Sequence, residues 1–330
     1  MYSHYNRHQQ AVRYLLTLPN VSVNDEKSAN SYNLTVCFIS VKRNKSSFEY
    51  LHQSIASLHY GLIKANMPAL FVVAFGGEYV DKIVATKFKW FKIPDLKDIV
   101  QNHDLKPNCN NSKGCIEYYH YIHVLNITSN YKSSHLLILQ DDALAHSGTG
   151  SNIKWLLERR VHQIRYSKPK IVKMYTPEYY QKYPITTHDI LELIAFTYMI
   201  FIICTMNGMR KDACLSICIF FVLICLFGGR EIFYEKRRYF YMLFTLKPSY
   251  DASLVAVLYI NPMNYVHHLI NWLLRNRRDN IDIMIHRYTH KQCITDVTLE
   301  PNLFYHIGFE SAVAHPRNWK LFTDIPYHLF

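Results

Sequence analysis

The chain has 330 residues, 49% of them hydrophobic and 15% aromatic, with only 10 glycines and 12 prolines. That is enough apolar material to bury a large core, and it excludes a disordered or low-complexity protein. The formal net charge of +12 suits an anionic partner such as a phosphorylated substrate, a nucleotide or an anionic lipid surface. The basic residues are spread along the chain and form no nucleic-acid-binding module, so sequence-specific DNA or RNA recognition is not expected.

The first thirty residues hold neither the apolar core of a signal peptide nor a membrane span, because Ala11 to Leu18 is too short for either. They read as a helical or stem segment, 1–30. Leu34 to Val41 is a β-rich run, and from Tyr50 to Tyr60 apolar residues recur at helical spacing. Leu70 to Phe75, ended by Gly76 and Gly77, is a second strand. Cys115 to Leu125 reads as a helix, and Leu136 to Leu139 as a strand that runs straight into Asp141 and Asp142. Continuous apolar strands alternating with helices point to βαβ units and a mainly parallel sheet. Ligands in such sheets sit beyond the carboxyl ends of the strands, which puts the two acids at a site. A hard divalent cation on phosphate oxygens takes only one or two protein carboxylates, so an Asp-Asp pair suffices to hold one. The competing reading is a solvated turn after a core strand.

Two apolar stretches follow, Ile190 to Met206 and Ala213 to Gly229, joined by the polar link Asn207-Gly-Met-Arg-Lys-Asp212. Each is about 17 residues, the short end of what spans a bilayer as a helix. The second has no charged residue and no polar face, which a core helix normally shows. The pair reads as a transmembrane hairpin, with a buried pair of core helices as the alternative. Beyond it, Leu254 to Ile260 returns to strand, Met263 to Arg275 to helix and Thr295 to Leu299 to strand. The expected layout is therefore one α/β domain in two parts, 31–187 and 239–330, interrupted by an insertion at 188–238.

Orientation is argued both ways. Arg230, Lys236, Arg237 and Arg238 after the hairpin outnumber Arg210 and Lys211 in its link, which by charge counting puts the globular parts in the cytosol. Sequons at Asn20, Asn33, Asn44, Asn110 and Asn126 argue for a secretory lumen. So does the spacing of Cys109 and Cys115, which bracket a polar stretch able to close as a small disulfide loop in an oxidising compartment. Of the other cysteines, Cys204, Cys214, Cys218 and Cys225 lie in apolar segments, and no pair has the spacing of a zinc site with histidines.

Five blocks carry a resemblance: Ser40-Val-Lys-Arg43 before Tyr50-Leu51, Leu139-Gln-Asp-Asp-Ala143, Ile171-Val-Lys-Met-Tyr-Thr-Pro177, Val257-Leu-Tyr259 with Pro262, and Glu300-Pro-Asn-Leu-Phe-Tyr-His-Ile-Gly308 followed by Ser311. In this order, with a hairpin between the third and fourth, the chain resembles the GPI-N-acetylgalactosamine transferase family, and more distantly the type IV branching N-acetylglucosaminyltransferases. The resemblance implies a glycosyltransferase A-like, Rossmann-like fold interrupted by a tandem transmembrane hairpin. It implies transfer of GalNAc from UDP-GalNAc to a mannose of the GPI-anchor glycan at a Golgi membrane, with the catalytic domain in the lumen and a divalent metal, expected to be Mn2+, on the diphosphate. The acceptors would be GPI-anchored proteins. Alternatives are a transferase of N-acetylglucosamine onto N-glycans and a catalytically inactive GPI-glycan-binding homologue.

Onto this chain the resemblance carries Asp142 as metal ligand and Asp141 as a contact to ribose or donor sugar. His306 is a second metal or diphosphate contact, against the alternative of a structural histidine beside a Gly turn. Ser40 and Arg43 match positions near the nucleotide, against a solvated turn. Lys173 either contacts phosphate or pairs with an acid. Direct inversion at the anomeric carbon needs a base for the acceptor hydroxyl; Asp282, in Asn280-Ile-Asp-Ile-Met-Ile-His286, is the candidate, with helix capping as its alternative and Asp279 as a fallback. The chain departs from the family pattern at Gln140, where an acid precedes the aspartates; Gln keeps a carbonyl oxygen but loses the charge. It also shows no N-terminal transmembrane anchor, so either the sequence is truncated or the hairpin is the anchor.

Overall fold

The computed structural model describes residues 2–20, 32–41, 48–94, 113–160, 171–175, 187–228, 245–248, 253–276, 280–300 and 302–307. Strands β1 (Leu34–Val41), β2 (Leu70–Gly76), β3 (Lys89–Ile93) and β4 (His135–Gln140) lie side by side and parallel in the order β3-β2-β1-β4. Val36 of β1 stands opposite Phe71 on one side and Leu137 on the other. Such strands are apolar on both faces because helices cover both. β4 is followed by the short β5 (Ala143–Ala145), and β6 (Ile171–Lys173), β7 (Thr245–Pro248), β8 (Ala256–Ile260) and β9 (Asp296–Glu300) continue the main sheet as β4-β8-β6-β9-β7. β8 runs antiparallel to both β4 and β6, and β7 antiparallel to β9. The sheet is thus mainly parallel with two reversed strands, and its 3-2-1-4 half has the order of a Rossmann-like fold.

One face is covered by α1 (Tyr2–Thr17), α2 (Phe48–Lys64) and α5 (Thr149–Trp155), with α2 against the sheet: His59 meets Phe71 edge-on at 4.9 Å between ring centroids, and Phe71 stacks on Phe38. The short α3 (Lys82–Lys87) begins at Asp81, whose carboxylate accepts the Val84 N–H at 2.8 Å. The opposite face carries α4 (Lys113–Ser129), α8 (Val266–Arg275) and α9 (Ile281–Lys291). Val266, Leu269, Ile270 and Leu273 form one stripe of α8 at helical spacing and pack with Ile122 and Leu125 of α4 and Met284 and Ile285 of α9 over Cys37, Ile138 and Val257. The predicted helix at 263–275 starts later as an α-helix, because Pro262 opens a 3-10 turn after Asn261 in the left-handed region at φ 49°.

The chain divides into two units, residues 1–175 with 245–330, and residues 176–244. In the second, α6 (Thr187–Met206) and α7 (Lys211–Gly228) fall on the two apolar stretches and are joined by a turn with Gly208 at φ 74°. They pack together, and the Cys218 thiol of α7 lies 3.6 Å from the Thr197 carbonyl of α6. Leu191, Ile194, Tyr198 and Met206 of α6 and Leu215, Ile219 and Phe220 of α7 are exposed. Among the described residues no helix is long and apolar enough to cross a membrane. Cys109, Arg43 and Asp279 lie outside the described residues.

Candidate functional site

Strand β4 carries its backbone pairing to the last residue before the acids. The Gln140 N–H donates to the Val255 carbonyl at 2.9 Å, and the Asp141 N–H to the Ile39 carbonyl of β1 at 3.1 Å. The chain then turns through Asp141 and Asp142 into β5, which pairs antiparallel with β10 (Phe304–His306), His306 opposite Ala143. This ribbon is pinned at both ends, by Ile307 N–H to the Asp142 carbonyl at 2.9 Å and His146 N–H to the Leu303 carbonyl at 3.0 Å. A third bond, from Leu303 N–H to the Met174 carbonyl at 3.0 Å, ties it to the end of β6.

The pairing brings together residues 164 positions apart. His306 Nε2 lies 3.0 Å from Asp142 Oδ2, with Asp142 fully buried and His306 nearly so. The Tyr175 ring is tilted against the imidazole at 5.7 Å between centroids. Asp141 is also buried, and the Ser40 hydroxyl at the end of β1 donates to its Oδ2 at 3.3 Å. Buried carboxylates persist only where charge or hydrogen bonds compensate them, and with both acids buried the pair is not a solvated turn. From the other side α2 meets the same segment: the Ser54 hydroxyl donates to the Asp141 carbonyl at 2.8 Å, and the Ala145 N–H donates to the Ser57 hydroxyl at 3.1 Å.

Among the described residues no group of three or more His, Cys, Asp or Glu is placed to hold a metal ion. Asp142 and His306 supply one carboxylate and one imidazole nitrogen. That donor set fits a cation shared with a diphosphate, which needs few protein ligands, and it does not fit a closed structural site.

Asp282 opens α9, as the sequence suggests, and its Oδ1 accepts the Ile283 N–H of its own helix at 2.8 Å. Chain direction puts it at the same sheet edge as the acids: α9 runs back to the start of β9, so its N-terminus lies where the parallel strands end. Lys173 goes elsewhere. Its ammonium is buried 3.5 Å from Asp296 Oδ2, and Asp296 stands in register with Ile171, so the side chain reaches back toward the beginning of the strands. The structure thus brings together Ser40, Asp141, Asp142 and His306, sets Asp282 on the same edge and engages Lys173 in an ion pair.

Compared with known families, residues 34–305 match the profile described as GPI-N-acetylgalactosamine transferase PGAP4. The chain belongs to this family. Membership implies a glycosyltransferase acting on the GPI glycan. No curated protein matches the chain. The matched span opens on the first residue of β1 and closes inside β10, one residue before His306. Within it Gln140 ends β4 half-buried, directly before the buried acids. Ser54 and Ser57 were not singled out by sequence; they flank the apolar stripe of Leu51, Ile55, Leu58 and Leu62, and only the structure shows them buried.

Proposed function

We propose that the chain is a Golgi membrane glycosyltransferase that transfers GalNAc from UDP-GalNAc to a mannose of the GPI-anchor glycan with inversion. The observation that carries this reading is the Asp142–His306 pair at the carboxyl edge of the sheet, 3.0 Å apart, in a chain of this family. Asp142 and His306 would hold a divalent cation, expected to be Mn2+. When bound, it supplies positive charge to the diphosphate and Lewis acidity toward the departing nucleotide.

The chain's own groups divide the rest of the work. Asp141, oriented by Ser40, faces the donor's ribose or sugar hydroxyls, and Arg43, two positions after β1 in the sequence, contacts the nucleotide. Asp282 takes the proton of the attacking mannose hydroxyl. It lies in the first turn of α9, and a base must start deprotonated. Lys173 is assigned to its ion pair with Asp296 and not to the donor. The hairpin of α6 and α7 anchors the enzyme in the bilayer, a reading supported by apolar side chains exposed along both helices. The sequons support a luminal catalytic domain.

The test is complementation. The chain is expressed in cells lacking their own GPI-GalNAc transferase, and GalNAc on released GPI glycans is measured by mass spectrometry. The parent should restore GalNAc and Asp142→Ala should abolish it. Product from Gln140→Glu alone would favour a degenerate glycan-binding homologue, the reading that the missing acid at Gln140 keeps in view. Absence of product from both would overturn the transferase.

A further inference from the structure

We propose that Ser54 is a positioning residue for the metal site, a buried hydroxyl on α2 that fixes the Asp141 carbonyl and thereby sets the Asp142 carboxylate for a divalent cation and its nucleotide. The inference rests on the metal-assisted reading above and extends it to a helix that carries none of the residues assigned to donor or metal.

The turn that presents the aspartates is only partly fixed by strand pairing. Asp141 N–H is taken by Ile39 and the Asp142 carbonyl by Ile307. The Asp141 carbonyl and the Ala145 N–H, at the two ends of the segment, are met by Ser54 and Ser57. The two hydroxyls are linked, since Ser57 donates to the Ser54 carbonyl at 3.1 Å while accepting from Ala145. Ser54 is fully buried and Ser57 nearly so. One helical turn further on, α2 comes into backbone contact with the start of α5: a Cβ on Gly150 would run into the Gly61 carbonyl oxygen. Positions 54, 57 and 61 share one side of a helix. That side holds the segment from Asp141 to Gly150 along its length, with hydroxyls at the acids and bare backbone at the far end.

A hydroxyl at position 54 does what a methyl cannot. Removing it leaves a buried carbonyl without that donor, and the dipeptide shifts toward another partner. A carboxylate and an imidazole that must meet one cation tolerate displacements of only about half an ångström, so loss of a group orienting a ligand typically weakens metal binding by roughly ten- to a hundredfold.

The experiment uses the full chain purified in detergent and titrates Mn2+ in the presence of UDP, reading bound Mn2+ by loss of the free-ion electron paramagnetic resonance signal. Ser54→Ala should raise the half-saturating Mn2+ concentration by about tenfold or more, and Ser54→Thr, which keeps the hydroxyl, should recover toward the parent. Tyr121→Phe breaks a buried hydroxyl pair on the opposite face, where Tyr121 and Tyr259 meet at 2.8 Å, and should leave Mn2+ binding unchanged. Parent-like Mn2+ binding by a cooperatively melting Ser54→Ala protein would overturn the proposal. Should Ser54→Ala not fold, Ser57→Ala is read by the same criterion. A parent that binds no Mn2+ with UDP, or an Asp142→Ala protein that binds it as the parent does, would instead sink the metal reading and the proposal with it.

Discussion

At the scale of single residues, Asp296 is a charged group buried outside the site. Burial pushes its carboxyl above the usual range, against the opposing pull of Lys173 and His286, whose Nδ1 also lies 3.5 Å from Oδ2. Taking one partner from such a pair strands a buried charge, so Lys173→Met and Asp296→Asn should each lower unfolding stability by about 3 kcal/mol. The double variant Lys173→Leu/Asp296→Leu should lose markedly less than the sum, because the desolvated charges disappear together. Urea denaturation of the four proteins measures this. Transferase activity in the double variant separates the ion-pair role of Lys173 from donor contact: retained turnover fits the pair alone.

Between elements, α1 sits on α2 through a ladder of histidines. His4 contacts Glu49 at 2.9 Å, His8 Nε2 lies 3.1 Å from His52 Nδ1 with the rings stacked, His52 Nε2 meets Asp81 at 3.1 Å, and Tyr14 bonds His59 at 2.8 Å. Burial lowers the pKa of His4, His8 and His59, the last to about 4, and the neighbouring His52 lowers His8 further. Each of the three therefore titrates lower when folded than its free value of about 6.5, so the unfolded chain binds more protons between those limits. Stability is whole above about pH 6.5 and falls as the pH drops toward 4. Thermal unfolding should show a lower Tm at pH 5 than at pH 7.5, and His59→Gln, which does not titrate there, should shrink the difference. On the opposite flank of α2 two glycines behave differently. Gly150→Ala drives a methyl into backbone and should cost about 2 kcal/mol or more. Gly61→Ala meets only ordinary contacts, the nearest at 3.5 Å, and should gain up to about 1 kcal/mol of helix propensity.

These elements also show what the chain discloses on reading. β1, β2, β4, β8 and β9 are legible as strands, α2 by its helical spacing, and α4 and α8 as helices, each within a turn or so of its observed ends. β5 and β10 are not, since three residues make no period, yet they bring His306 to Asp142. The acids and the histidine were therefore readable as candidates, whereas their contact was not. Ser54 was hidden for the opposite reason: a serine beside an apolar stripe looks like a tolerated small residue until the carbonyl opposite it is known.

At the scale of the whole molecule, the unit 176–244 is inserted in sequence between β6 and β7, strands of one sheet. If the hairpin spans the bilayer, the chain on either side of it shares a compartment. With tags in the Arg210–Lys211 link and at the C-terminus, protease added to intact Golgi vesicles should cleave the first and spare the second. A cleaved C-terminal tag would place the sheet in the cytosol and overturn the luminal assignment.

The position of β8 has a consequence for biosynthesis. β4 obtains its second neighbour only from residues 256–260, and Asp142 obtains its imidazole later still, from residue 306. A ribosome that has completed β4 and β6 must therefore deliver the whole hairpin before the sheet can close. In that interval the nascent chain presents an open apolar edge, a natural substrate for chaperones, and the polypeptide cannot assemble its Asp142–His306 pair until residue 306 has been made.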